Sequence, residues 1–129
     1  MARVVALCAD LMFGSRIAAQ LQAAGEQLEL VSDAGSLSAR LQGPADGRPE
    51  VLVVDLTSGS EEGIELISGL GGEGRPRTLG FYSHVEADVR ERAEGAGFDQ
   101  VVPRSRMARE GAALVARLLE APSGPSTSG

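Results

Sequence analysis

Apolar residues along this chain fall into two alternating rhythms. Residues 3–9, RVVALCA, form a short run with no polar alternation, closed by Asp10. Such a run predicts a strand buried on both faces. Over 15–24 the apolar positions Ile17, Ala18, Leu21 and Ala24 recur at helical spacing, and Gly25 stands where a helix usually ends. The pattern then repeats. A strand is predicted over 27–31, then a short helix to Leu41 capped by Ser36. Residues 43–49 are rich in turn formers. A strand follows over 51–54, then a helix over 60–70 weakened by Gly63 and Gly69. The last units are a strand over 78–82, a charged helix over 85–96, a strand over 100–102 and a helix over 107–120. Five strand–helix alternations predict an α/β protein with a parallel sheet and helices on both faces, joined by right-handed crossovers. Residues 1–120 are expected to form a single domain, and the low-complexity residues 121–129 a disordered tail.

Polar residues gather where these strands stop. Asp10 follows the first, Asp33 the second, Asp55 ends the third, Ser83 the fourth and Arg104 the fifth. In an open α/β sheet, this carboxyl edge is where ligands bind. Asp55 is the most pointed case, because VLVVD runs from four apolar residues directly into an acid. A carboxylate at a half-buried edge needs a partner, and Arg104 is the expected one.

Composition narrows the function classes. A net charge of −6 argues against a broad nucleic-acid surface. All 12 basic residues are Arg, so an Arg carries no functional weight merely for standing where Lys is common. Cys8 is the single cysteine, which excludes an internal disulfide and fits a reducing compartment. No apolar run approaches the ~20 residues of a membrane helix, and the N-terminus lacks a signal-peptide apolar region. A cytoplasmic protein is expected.

Three segments resemble a known family. Residues 49–56, PEVLVVDL, match a strand ending in a phosphoacceptor aspartate. Residues 81–84, FYSH, match a strand ending in Ser or Thr, and 96–102, AGFDQVV, match an Ala-Gly segment leading into the fifth strand. Together they resemble the receiver domain of two-component response regulators, over nearly the whole chain. The resemblance implies a three-layer, flavodoxin-like (βα)5 fold with sheet order 2-1-3-4-5. It places Asp55 at the phosphoacceptor position, with Asp10, Ser83 and Arg104 supporting it at the strand edge. It implies a partner surface near Tyr82, Arg104 and Arg106, and a protein partner such as a histidine kinase or regulator in a phosphorelay. A homodimer is also compatible with it.

The departures from the pattern shape the functional expectation. An active receiver carries two adjacent acids after the first strand; here those places fall on Cys8 and Ala9, with Asp10 one residue beyond. The family's Lys falls on Arg104 and the following Pro on Ser105. Aspartyl phosphorylation needs Mg²⁺, which requires hard oxygen ligands, and a thiol is the wrong type. The expected function is therefore a non-catalytic receiver-like module acting through protein–protein interaction, with no resident cofactor or metal. One alternative is a stand-alone regulator phosphorylated on Asp55, with Asp10 and Asp55 sharing Mg²⁺. Another is a small α/β enzyme or ligand-binding protein using the edge cleft.

Other motifs weigh little. Residues 69–74, GLGGEG, satisfy G-x-G-x-x-G but follow a helix and precede a strand, the reverse of a dinucleotide fingerprint. Cys8 and His84 end strands separated by a third in the implied order, roughly 10 Å apart, which is too far for a catalytic dyad.

Overall fold

Side chains along each strand alternate between two cores, and that alternation builds the molecule. The computed structural model describes residues 3–43, 48–57, 60–70, 75–83 and 87–120, with Ser60 and Ala87 described by backbone only. The elements are β1 (Arg3–Leu7), α1 (Leu11–Ala23), β2 (Gln27–Val31), α2 (Ala34–Leu41), β3 (Val51–Asp55), α3 (Ser60–Ser68), β4 (Arg77–Tyr82), α4 (Ala87–Ala96), β5 (Gln100–Pro103) and α5 (Arg104–Glu120). The five strands are parallel in the order β2-β1-β3-β4-β5.

On one face, Val4 and Ala6 of β1, Val51 and Val53 of β3, and Leu79 and Phe81 of β4 pack under α1 and α5. On the other, Val5, Leu52, Val54 and Tyr82 pack under α2, α3 and α4. The central strand β3 is buried at every position. That is why its sequence shows no alternation: both faces are interior. Each fully buried Val or Leu there contributes about 1.5–3 kcal/mol relative to exposure.

Helix boundaries follow local chemistry. α1 ends in a Schellman motif: Glu26 N–H donates to the Leu21 carbonyl and Gly25 N–H to that of Gln22, both at 3.0 Å. Gly25 sits at φ +92°, a left-handed conformation that a Cβ disfavours. α3 lies close on β3 because Gly63 has no side chain; a Cβ there would come within 2.8 Å of Val54 Cγ1. The Gly that weakens this helix in isolation is what seats it.

Several boundaries differ from the sequence expectation; β1 stops at Leu7 and α3 at Ser68, each two residues early. α1 begins at Leu11, not at 15, because Asp10 caps it: Oδ1 accepts the N–H groups of Met12 and Phe13, each at 3.1 Å. Leu11 and Met12 are apolar but exposed, which broke the amphipathic pattern there. α2 is capped by Asp33, whose Oδ1 accepts the Ser36 N–H at 2.7 Å; Ser36 is not the cap. α5 begins at Arg104, and β5 runs through Pro103, which pairs with Tyr82. Residues 85–86 and the expected tail at 121–129 lie outside the described residues. Among the described residues, no helix is long and apolar enough to cross a membrane.

Candidate functional site

β1 and β3 are neighbours, with Leu7 opposite Val54. One residue further along, Cys8 and Asp55 continue the face set by Val4, Ala6, Val51 and Val53. The two side chains meet at the carboxyl edge: Cys8 Sγ is 3.4 Å from Asp55 Oδ2. Ser83 directly follows β4 and is half-buried. The neighbouring positions that the receiver pattern fills with acids thus hold a thiol at Cys8 and a methyl at Ala9.

Asp55 is only 8% exposed, and its oxygens are occupied from within. Oδ1 accepts the Thr57 N–H at 2.8 Å and the Thr57 hydroxyl at 2.5 Å. Oδ2 accepts the Cys8 thiol, whose other acceptor is the Asp10 carbonyl at 3.3 Å. Burial is the main cause that pushes the Cys8 thiol up to about 12, and the adjacent Asp55 charge and hydrogen bond push the same way. At neutral pH the thiol is protonated and acts as a donor. Three neutral donors are how a buried carboxylate meets its desolvation cost without a cation.

The cation lies elsewhere. Arg104 Nη2 contacts Asp10 Oδ2 at 3.0 Å, and its guanidinium carbon sits 4.2 Å from the centroid of the Phe13 ring. Phe13 in turn packs on Phe81, with centroids 5.1 Å apart. The expected Asp55–Arg104 partnership is therefore replaced by Asp10–Arg104. Asp55 is already satisfied by Cys8 and Thr57, while Arg104 finds both an aromatic face and a nearer carboxylate. Asp10 titrates below the usual carboxylate range, chiefly because it accepts the Phe13 N–H, with Arg104 adding to the effect.

The remaining sequence candidates are scattered. Tyr82, read as a surface anchor, is 7% exposed and packs in the core with Val89 and Ala93 of α4, so little of it is available to a partner. Arg106 is half-buried and pairs with Glu110 at 3.3 Å on its own helix. His84 lies outside the described residues. Sequence reasoning missed Thr57 and Phe13. Thr57 carried a signal, since an acid followed two residues later by Thr is a local side-chain turn; Phe13 carried none.

No protein-family model matches the sequence, and no curated protein matches it. Solved structures do. One is a response regulator receiver protein from Burkholderia phymatum, at TM-score 0.79 and 22% identity, covering 97% of this chain and 100% of that one. A response regulator signal receiver domain from Bermanella marisrubri matches at TM-score 0.79 and 16% identity, over 92% and 98% of the two chains. The Mn²⁺-bound response regulator Rcp1 matches at TM-score 0.76 and 13% identity, over 98% and 100%. This chain has the receiver fold.

Within that fold, the edge residues do not suit a divalent cation. Mg²⁺ takes oxygen ligands in near-octahedral order. Here Asp55 has both oxygens engaged, Cys8 presents a protonated thiol, and Asp10 would have to abandon its helix cap and Arg104 together. Among the described residues, no group of three or more His, Cys, Asp or Glu side chains is placed to hold a metal ion.

Proposed function

We propose that this receiver-fold chain is a signalling module that works by being recognised by a protein partner, such as a kinase or another regulator, without efficient Mg²⁺-dependent phosphorylation of Asp55. One observation carries the reading: the side chain beside Asp55, at Cys8 just past β1, is a buried, protonated thiol that donates to it. Rcp1, of similar fold, is described with Mn²⁺ bound; among the described residues of this chain, no group of three or more His, Cys, Asp or Glu is placed for such an ion. Phosphoryl transfer to a carboxylate needs positive charge concentrated at the reacting oxygens. The guanidinium at this edge is committed to Asp10 and Phe13 instead.

The test is direct. The protein is incubated with Mg²⁺ and a small phosphodonor such as acetyl phosphate, and its intact mass is followed with time. No gain of a phosphoryl group is expected. A stoichiometric, Mg²⁺-dependent gain that disappears in Asp55→Asn would overturn the proposal in favour of a phosphorylatable regulator. One cavity among the described residues, of about 150 Å³ and lined by Arg3, Gln27, Leu28, Glu29 and Arg40, lends the reading as a cleft enzyme no support. It sits where β1 and β2 begin, at the opposite end from Asp55, and is smaller than ordinary ligand pockets.

A further inference from the structure

α5 spans 17 residues, and its buried Met107, Leu114 and Leu118 share a core with Ile17 and Leu21 of α1. Gln20 lies on the same stripe of α1, three residues after Ile17, and is half-buried. Its side chain crosses to the other helix. Nε2 donates to the Ala108 carbonyl at 3.1 Å, and Oε1 accepts the Ala112 N–H at 2.7 Å. Ala108 and Ala112 are four residues apart, so they are the acceptor and donor of one rung of α5. A backbone N–H has a single proton. At 2.7 Å the Gln20 oxygen draws on the proton that the rung would use, and a side chain entering the ladder is a known cause of a change in helix direction. Gly111 makes the entry possible: a Cβ there would stand 3.3 Å from Gln20 Oε1 and 3.2 Å from the Met107 methyl.

The same groups have two satisfied arrangements. With the amide in, Gln20 makes both of its bonds and the rung is loosened. With the amide out, the Ala112 N–H returns to the Ala108 carbonyl, and the half-buried Gln20 turns to water. Neither arrangement leaves a buried donor or acceptor unmet, so no large free-energy gap separates them. Two such states in balance are what a conformational switch requires.

We propose that residues 108–112 are a hinge within α5 and that the Gln20 amide is its clasp. Clasped, the half of α5 from Ala112 to Glu120 is tied to α1. Released, the rung closes on itself and that half turns about Gly111, the residue with the least hold on helical geometry. The first turn of α5 is fixed separately, by Arg104 on Asp10 and on the Phe13 ring. Motion is therefore confined to the second half, and the clasp sets where the C-terminal end of α5 points. The inference goes beyond the proposed function and makes no use of Asp55.

NMR on the ¹³C,¹⁵N-labelled full chain tests this. A scalar coupling is expected across the hydrogen bond from the Ala112 nitrogen to the Gln20 side-chain carbonyl carbon. Relaxation dispersion is expected to show microsecond-to-millisecond exchange at Gln20 Nε2 and at the amides of 112–120, and none at 105–107. In Gln20→Met, which keeps the length and loses the amide, that exchange is expected to vanish and the Ala112 coupling to move to the Ala108 carbonyl. In Gly111→Ala, the added methyl is expected to raise the released population severalfold. The proposal is overturned if Ala112 couples to the Ala108 carbonyl alone in the wild type, if exchange is absent at Gln20 and 112–120, or if it persists unchanged in Gln20→Met. Should Gln20→Met fail to fold, Gly111→Ala decides: an unchanged population of the two states overturns the hinge. The phosphodonor assay reads Asp55 alone, so either result can fail without the other.

Discussion

Two aspartates stand at the carboxyl edge of neighbouring strands and live in opposite worlds. Asp55 is almost wholly buried and holds three neutral donors supplied by Cys8 and Thr57. Asp10 has a side chain 43% exposed, yet it holds the guanidinium and two helix N–H groups. In a pocket built to transfer phosphate, counter-charge must gather at the acid that reacts. Here it gathers at the acid that caps a helix. The position of a carboxylate in a fold therefore says less about its chemistry than the charge of its nearest donors.

The strongest way to break this contrast is to place acids just after β1. In Cys8→Asp with Ala9→Asp, a carboxylate replaces the thiol beside Asp55, and like charges at contact distance in a buried site should cost about 2–4 kcal/mol in EDTA. Mg²⁺ is expected to restore much of that loss, read as a rise in Tm that the wild type does not show. If the double variant ignores Mg²⁺, the missing acids are not what separates this edge from a metal site.

A smaller effect follows from the Cys8 thiol. Its ordinary value of 9.0 rises to about 12 in the folded chain. The stability this contributes is complete below pH 9.0. It is lost as pH climbs toward 12, because the unfolded chain releases the thiol proton first, with a slope of at most about 1.4 kcal/mol per pH unit. Urea unfolding across pH 8–11 should show a shallower alkaline decline in Cys8→Ala than in wild type. Identical slopes would mean that the fold does not hold the Cys8 thiol protonated.

The smallest effect belongs to the exposed pair. A double-mutant cycle of Asp10→Asn and Arg104→Ala should give a small favourable coupling that falls with added salt. Coupling between Arg104→Ala and Asp55→Asn is expected to be near zero. The reverse ranking would return Arg104 to Asp55.

The architecture was readable because its signals are local. Unbroken apolar runs such as Val51 to Val54 marked strands buried on both faces, and Gly25 marked the end of α1. The position of Asp55 at the end of such a run was equally plain. What it touches was not. Whether Arg104 turns to Asp55 or Asp10 is decided by competition among side chains, and the Phe13 ring that tips it is only another apolar letter in the sequence. Leu11 and Met12 misled for a related reason: they are apolar, yet they face outward, so they hid the start of the helix they belong to.

Gly111 shows how context can oppose a general preference. In an isolated helix, exchanging glycine for alanine gains about 1 kcal/mol. At this position the extra methyl would stand 3.2 Å from the Met107 methyl and 3.3 Å from the Gln20 amide oxygen. The joint between the two helices is keyed, with a slot one carbon wide, and the residue that weakens the bar is the one that lets the key turn home.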